Sequence, residues 1–228
     1  MNTFDEIKEN IFALRAELEK YPGARLLAAT KTVPAEAINY AIHECGIKII
    51  GENRVNELLE KYDAIDKVGI EIHFIGTLQT NKVKYIADKV DMIHSLDSEK
   101  LAREIDRRCS ALGRVMNVLI EVNIAHEESK GGVFPEDVYS FYDSIKALTN
   151  VRISGLMTMA PADSGEEGFR KYFTETKKLF DSFCRDCIPD VDKPVLSMGM
   201  SSSCETALEC GSNLIRVGSR IFNARKYS

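Results

Sequence analysis

A lysine follows an apolar stretch near the start of the chain. Lys31 follows Thr30 and the apolar residues 26–29, which read Leu-Leu-Ala-Ala, and it precedes Thr32, Val33 and Pro34. An amine whose stem lies against an apolar wall loses its charge more readily, and Schiff-base formation with an aldehyde requires a neutral amine. Lysines at strand ends are also common as solvated surface residues. Lys31 is therefore a candidate nucleophile, with an ordinary surface lysine as the alternative.

Small polar residues cluster in the last third of the chain. Residues 197–203 read Ser-Met-Gly-Met-Ser-Ser-Ser, and residues 216–219 read Arg-Val-Gly-Ser. Small side chains let backbone N–H groups and hydroxyls approach an anion closely, so Ser201, Gly218 and Ser219 are candidates for holding a phosphate. Taken separately, each segment is equally compatible with an ordinary turn.

The lysine and the two small-residue segments together restrict the ligand. A molecule that used all of them would carry an electrophilic carbon at one end and a phosphate at the other. Pyridoxal 5'-phosphate (PLP) has this form, and so do sugar phosphates and phosphorylated aldehydes. At this point both a PLP-binding protein and an enzyme acting on a phosphorylated sugar fit the sequence.

Eight apolar, β-branched runs alternate with helical patterns along the chain, which is typical of repeated β/α units on a parallel sheet. Eight units form a (β/α)8 TIM barrel, whose functional face is built from the residues that follow each strand. An open doubly wound sheet is the alternative, and it too binds ligands at the carboxyl ends of its strands. We predict strands at residues 26–30, 47–51, 72–76, 92–96, 118–123, 153–158, 195–199 and 214–218.

The segments between the strands have helical periodicity, and an additional amphipathic helix at residues 4–20 precedes the first strand. Asp97 or Ser98 can cap the helix that begins near Glu99. No linker or change in composition interrupts the pattern, so we expect residues 1–228 to form a single domain. The other helices are predicted at residues 35–44, 54–65, 81–87, 99–112, 135–148, 169–184 and 204–210.

The composition excludes several classes of function. The chain has 30 basic and 35 acidic residues, a net charge of −5, and no basic stretch, so a nucleic acid is not an expected partner. No stretch resembles a secretory signal or a membrane span, which predicts a cytoplasmic protein without membrane contact. The four histidines lack the spacing of metal ligands, so no metal site is expected. Glu52, Glu57 and Glu121 are candidates either for acid/base chemistry or for ion pairs.

Six motifs connect the sequence to a known family. They extend, in order, over nearly the whole chain, at residues 28–32, 51–57, 73–82, 155–159, 196–201 and 215–218. On these motifs the sequence resembles the PLP homeostasis protein family, which is related in fold to the N-terminal barrel of alanine racemase. The resemblance implies a PLP-binding barrel of fold type III.

The resemblance also implies roles for individual residues. Lys31 would carry PLP as an aldimine, while Ser201, Gly218 and Ser219 would hold the phosphate with nearby backbone. Arg216 would face the pyridine nitrogen. Because a guanidinium cannot accept a proton, it disfavours a protonated pyridine and weakens the ring as an electron sink. Asn53 would lie beside the ring, and Met198 is the remaining residue expected at the cofactor.

Three residues depart from the family pattern. Val33 stands where many relatives have a second lysine, Ser203 where they have an acidic residue, and Asn223 where they have a glycine. These departures concern auxiliary contacts and leave the proposed Schiff base and phosphate groups unchanged.

The resemblance implies a role in PLP supply rather than in catalysis. The accepted role of the family is to buffer and deliver PLP so that vitamin B6 pools stay balanced, and PLP-dependent apoenzymes are the expected recipients. The alternative is a racemase acting on amino acids. Racemases of this fold need a second acid/base group from an additional β domain and a partner subunit, for which one barrel of 228 residues leaves no room. We therefore expect a monomeric carrier with no catalytic residues.

Overall fold

The computed structural model describes residues 3–127 and 130–223, so residues 1–2, 128–129 and 224–228 of the expected domain lie outside the described residues. Eight parallel strands close into a barrel in chain order, with the last strand bonded to the first. This topology confirms the (β/α)8 barrel and excludes the open doubly wound sheet. The strands are β1 Arg25–Ala29, β2 Ile49–Glu52, β3 Glu71–Phe74, β4 Met92–Leu96, β5 Met116–Val122, β6 Val151–Thr158, β7 Val195–Ser197 and β8 Leu214–Val217.

Helices surround the barrel in the order that the periodicity predicts. The hydroxyl of Ser98 accepts a hydrogen bond from the Leu101 N–H at the start of its helix. The predicted helix at 81–87 is shorter than expected, and a further short helix follows β8. The described helices are α1 Thr3–Leu18, α2 Ala35–His43, α3 Val55–Lys61, α4 Val83–Ile86, α5 Glu99–Ala111, α6 Val138–Ile145, α7 Gly165–Cys187, α8 Cys204–Glu209 and α9 Ser219–Phe222.

Alternate residues of the strands face two separate cores. One set packs between the strands and the helices and includes Ala28 and Ile50. The other fills the barrel interior and consists of Leu27, Ile49, Ile75, Met92, Leu119, Met157, Val195 and Leu214, with Ala29 packed against it. Because side chains alternate along a strand, Lys31 continues the inward series of Leu27 and Ala29 beyond the end of β1. The lysine therefore emerges at the mouth of the barrel.

A buried ion pair holds the segment that carries Lys31. The Glu52 carboxylate at the end of β2 lies 2.6 Å from Nζ of Lys61 on α3. Lys61 Nζ also donates to the backbone carbonyls of Thr30, at 2.7 Å, and Val33, at 3.1 Å. Burial raises the pKa of Glu52, while the hydrogen bond from Lys61 opposes that rise. Since the two carbonyls flank Lys31, the ion pair fixes the loop on both sides of it.

The same loop has a strained backbone. Thr32 has a φ of +62°, a left-handed conformation that β-branched residues rarely adopt. Its N–H donates to the Glu57 carboxylate, which also lies 3.0 Å from Lys61 Nζ. These contacts hold Thr32 in its unusual conformation and so position the lysine before it.

A carboxyl group is buried inside the barrel near its carboxyl end. Glu121 on β5 is 7% exposed. Burial, together with the negative charge of Asp97, raises its pKa to about 7, and the positive charge of Arg216 opposes the shift. The interior of the barrel thus contains a carboxyl that titrates near neutrality, with Arg216 as its neighbouring cation.

We expect Lys61→Met to lower the free energy of unfolding by about 3 kcal/mol, because it leaves Glu52 charged and buried without its partner. The control is Lys146→Met, which removes an exposed ion pair to Asp143 and should change stability by less than about 1 kcal/mol. Urea denaturation measures both. Equal losses in the two variants would contradict the structural role of the buried pair.

Glu121→Gln should make stability less dependent on pH. The native state keeps a proton on Glu121 that the unfolded chain releases above about pH 4.5, so the free energy of unfolding falls as pH rises from about 4.5 to about 7. A shift of this size corresponds to roughly 3 kcal/mol. Denaturant unfolding across this range should show the fall in wild type and in the exposed control Glu175→Gln, but not in Glu121→Gln. An identical fall in all three proteins would refute the assignment.

Candidate functional site

A cavity of about 540 Å³ opens at the carboxyl ends of β1 and β8, where a barrel of this kind carries its functional groups. This volume lies in the range of small-molecule sites. The lining includes both apolar side chains and side chains with hydroxyls. The cavity is lined by Ala29, Lys31, Thr32, Val33, Asn53, Ile75, Met159, Met200, Ser201, Ser202, Arg216, Gly218, Ser219 and Phe222.

Six of the seven residues expected at the cofactor line this one cavity, namely Lys31, Asn53, Ser201, Arg216, Gly218 and Ser219. The structure does not bring the side chain of Met198 to it. Strand β7 ends at Ser197, whose hydroxyl faces the barrel interior, so the next side chain faces the opposite way. Met198 is fully buried in the core between strands and helices.

Lys31 lies at the rim of the cavity and is exposed. The expected apolar surroundings are present only in part, as Ala29 and Ile75 line the adjacent wall, but they do not bury the lysine. Its amine is accessible both to a ligand in the cavity and to solvent.

Arg216 lies at the base of the cavity and is buried, with 5% of its surface exposed. Its Nη1 donates to the Ser197 carbonyl at 2.9 Å and to the Ser197 hydroxyl at 2.6 Å, and Nη2 donates to the Thr158 carbonyl at 3.1 Å. Burial lowers its pKa to about 10, against the opposing charge of Glu121. The guanidinium therefore stays charged near neutral pH and is held in one orientation.

The loop after β7 is shaped by a glycine and by hydrogen bonds. Gly199 has a φ of +93°, and a Cβ there would lie 2.5 Å from the Ala207 side chain. The Met200 N–H donates to the Ser203 hydroxyl at 3.2 Å. These contacts form the turn that places the Ser201 hydroxyl on the cavity.

Two glycines allow the loops around the cavity to approach each other. A Cβ at Gly218 would lie 3.0 Å from the Ala29 carbonyl and would fill the space between β1 and the start of α9. A Cβ at Gly76 would lie 2.0 Å from the Asn53 carbonyl. Since no side chain fits at Gly76, this glycine lets Asn53 reach the rim.

The structure also shows site residues that sequence reasoning missed. Met159, Met200, Ser202 and Phe222 line the cavity, and the motifs at 155–159 and 196–201 were the available signal for the first two. His73 and His94, which are distant in sequence, are neighbours inside the barrel.

The described residues contain no group of three or more side chains suited to a metal ion. Among the described helices, none is long and apolar enough to cross a membrane.

Comparisons with known proteins connect this geometry to a family. The family model of the alanine racemase N-terminal domain matches residues 3–226. A PLP homeostasis protein of Aquifex aeolicus is 47% identical over 204 residues, which cover 90% of this chain and 88% of that protein. The structure of PipY from Synechococcus elongatus PCC7942 with PLP bound matches with a TM-score of 0.85 and 31% identity, covering 95% of this chain and 99% of that one.

An alanine racemase of Clostridium difficile 630 shares the fold alone. It has 15% identity and a TM-score of 0.76, and the match covers 95% of this chain but 55% of the racemase. This chain and the racemase thus share the barrel, while curated relatives with higher sequence identity are PLP homeostasis proteins. The chain belongs to the alanine racemase N-terminal domain family and, within it, to the pyridoxal phosphate homeostasis proteins.

Proposed function

We propose that this protein binds PLP and keeps it available to other proteins, without itself turning over an amino acid. The observation that carries the proposal is the single cavity bounded by the Lys31 amine, the Arg216 guanidinium and the hydroxyls of Ser201 and Ser219. A relative of similar length and fold has been solved with PLP bound, and curated relatives are named for PLP homeostasis.

The residues present fit this cofactor. The space beside Gly218, which a Cβ would fill, and the hydroxyls of Ser201 and Ser219 suit a phosphate. Bound PLP would supply an aldehyde, which Lys31 would hold as a Schiff base. Asn53 at the rim would lie beside the ring. Met198 is not assigned a contact, because its side chain lies in the outer core.

The charges in the cavity favour a protein that carries PLP over one that uses PLP in catalysis. Arg216 lines the cavity, and at the pyridine nitrogen of bound PLP it would donate a hydrogen bond and supply no proton, which would weaken the ring as an electron sink. Among the described residues that line the cavity, the ionisable side chains are Lys31 and Arg216. A racemase needs an acid/base group on each face of its substrate. The cavity offers a lysine on one face and no acid on the other within the described chain.

The exposed position of Lys31 supports delivery. An amine at an open rim can exchange its bound aldehyde with an incoming lysine or amino acid. We propose that PLP-dependent apoenzymes receive the cofactor in the cytoplasm, and that the carrier acts as a monomer formed by a single barrel domain, residues 1–228.

Lys31→Ala should abolish the absorption band that a bound PLP Schiff base gives near the edge of the visible range. Wild type and the exposed control Lys178→Ala should both show the band after addition of PLP. A band of full intensity in Lys31→Ala would contradict the assignment. A wild-type protein that stays colourless with PLP would favour an enzyme acting on a phosphorylated sugar, and steady amino-acid turnover lost in Lys31→Ala would favour a racemase.

Ser201→Ala and Ser219→Ala should each weaken PLP binding by roughly 1 to 3 kcal/mol, or about 5- to 150-fold in Kd, because each removes a hydrogen bond to a charged group. Equilibrium dialysis with PLP measures the change. The control is Ser140→Ala on α6, whose hydroxyl donates to the Asp137 carbonyl far from the cavity. Unchanged affinity in both cavity variants would mean that the phosphate lies elsewhere.

A further inference from the structure

A row of polar side chains crosses the barrel interior behind Arg216. Arg216 Nη1 lies 2.6 Å from the Ser197 hydroxyl, which lies 3.1 Å from His94 Nδ1. His94 Nε2 lies 3.0 Å from His73 Nδ1, and His73 Nε2 lies 2.9 Å from the Glu71 carboxylate. We call these five residues the barrel chain. It joins residues of four different strands through four consecutive hydrogen bonds.

The barrel chain connects the two ends of the barrel. Arg216 lines the cavity at the carboxyl end. Glu71 is the first residue of β3, at the amino end, and its side chain is 48% exposed. Ser197, His94 and His73 between them are completely buried. Solvent at the amino end is thus linked to the cavity through buried groups.

The hydrogen-bonding capacity of each group fixes the direction of the barrel chain. Arg216 can only donate, so the Ser197 oxygen accepts from it and the Ser197 hydroxyl proton is free to bond His94 Nδ1. His94 Nε2–H then donates to His73 Nδ1, and His73 Nε2–H donates to the Glu71 carboxylate. Every bond is satisfied with both histidines neutral. The direction therefore depends on their protonation state.

The charges around the histidines favour this state. Burial lowers the pKa of His94 well below its usual value, and the nearby positive charges of Arg216 and Arg25 lower it further. The hydrogen bond from His73 lowers the pKa of Glu71, whose carboxylate also lies 3.9 Å from Arg25. His94 stays neutral, and Glu71 stays ionised as the acceptor at the exposed end.

Other charged groups face the cavity end of the barrel chain. Glu121 on β5 is the anion that acts on Arg216, and Asp97 in turn acts on Glu121. Glu121 acts on the charge of the guanidinium, and Asp97 acts on Glu121, so neither effect runs through the histidines. Variants of the histidines therefore separate the effect of the barrel chain from that of the carboxyls.

We propose, on the basis of the proposed function, that Ser197, His94 and His73 are positioning residues that hold Arg216 against the pyridine nitrogen of bound PLP. The Ser197 hydroxyl proton bonds His94 Nδ1, which leaves the Ser197 oxygen free to accept from Arg216. His73 and Glu71 in turn fix the nitrogen on which His94 carries its proton.

Loss of one of these bonds changes what Arg216 contacts. Without the Ser197 hydroxyl, Nη1 loses one of its two acceptors, and the guanidinium is no longer held in one orientation. The affinity for PLP and the absorption of the bound cofactor therefore depend on groups that do not touch the cofactor.

The test is the absorption spectrum of the PLP-loaded protein at one fixed pH near neutrality. We compare wild type with Ser197→Ala, Ser197→Thr and His73→Gln. The matched controls are His43→Gln and His126→Gln, because these histidines are exposed and lie outside the barrel chain. Dialysis with PLP at the same pH provides a second readout.

We expect wild type and both controls to share one spectrum. In Ser197→Ala and His73→Gln the PLP band should remain but its maximum should shift, because Arg216 is no longer held in the same orientation. Ser197→Thr keeps the hydroxyl and should restore the wild-type spectrum. Ser197→Ala should raise the Kd for PLP by roughly 10- to 100-fold, since it removes a hydrogen bond to a charged group.

The failures of the two proposals are distinguishable. A protein without a PLP band contradicts the proposed function itself. A band that depends on Lys31 but has the same maximum and the same Kd for PLP in wild type, Ser197→Ala and His73→Gln overturns the barrel chain alone. If His73→Gln does not fold, Ser197→Ala and Ser197→Thr decide the outcome, because Thr keeps the hydroxyl that Ala removes.

Discussion

The chemistry that this site can support depends on one buried guanidinium. Arg216 lies at the base of the cavity, and its hydrogen bonds run to oxygens of Ser197 and Thr158. A charge buried in this way needs fixed dipoles and a nearby counter-charge, which the Ser197 hydroxyl, the two carbonyls and the Glu121 carboxyl supply. These groups also fix its orientation. A rigid cation that can only donate suits a cofactor that is to be held without being activated.

Lys31, the lysine proposed to form the Schiff base, is placed by a different set of contacts. The alternation of β1 directs Lys31 into the mouth of the barrel, and the buried Glu52–Lys61 pair fixes the carbonyls on either side of it. The strained backbone of Thr32 is held by Glu57. The loop is therefore formed before any ligand arrives, while the lysine side chain itself remains exposed. A rigid loop that carries an exposed amine suits the capture and release of an aldehyde.

Strand positions and most of the site could be predicted from the sequence, because apolar β-branched runs mark strands and the residues after them form the mouth of a barrel. The side chain of Met198 could not be placed, since a shift of one residue at the end of β7 changes the face it occupies. The His73–His94 contact depends on the register between β3 and β4, which sequence spacing does not give. The four-residue helix α9 is too short to show periodicity. Asn223 adopts a left-handed φ of +48°, so it replaces the usual glycine without losing the conformation.

The most direct test is a crystal structure of the protein grown with PLP. We expect continuous density from Lys31 Nζ to the cofactor, with the phosphate between Ser201 and Ser219 and the pyridine nitrogen facing Arg216. Density that leaves Lys31 unmodified and places PLP in the neighbouring cavity beside Lys82, or elsewhere, would contradict this placement.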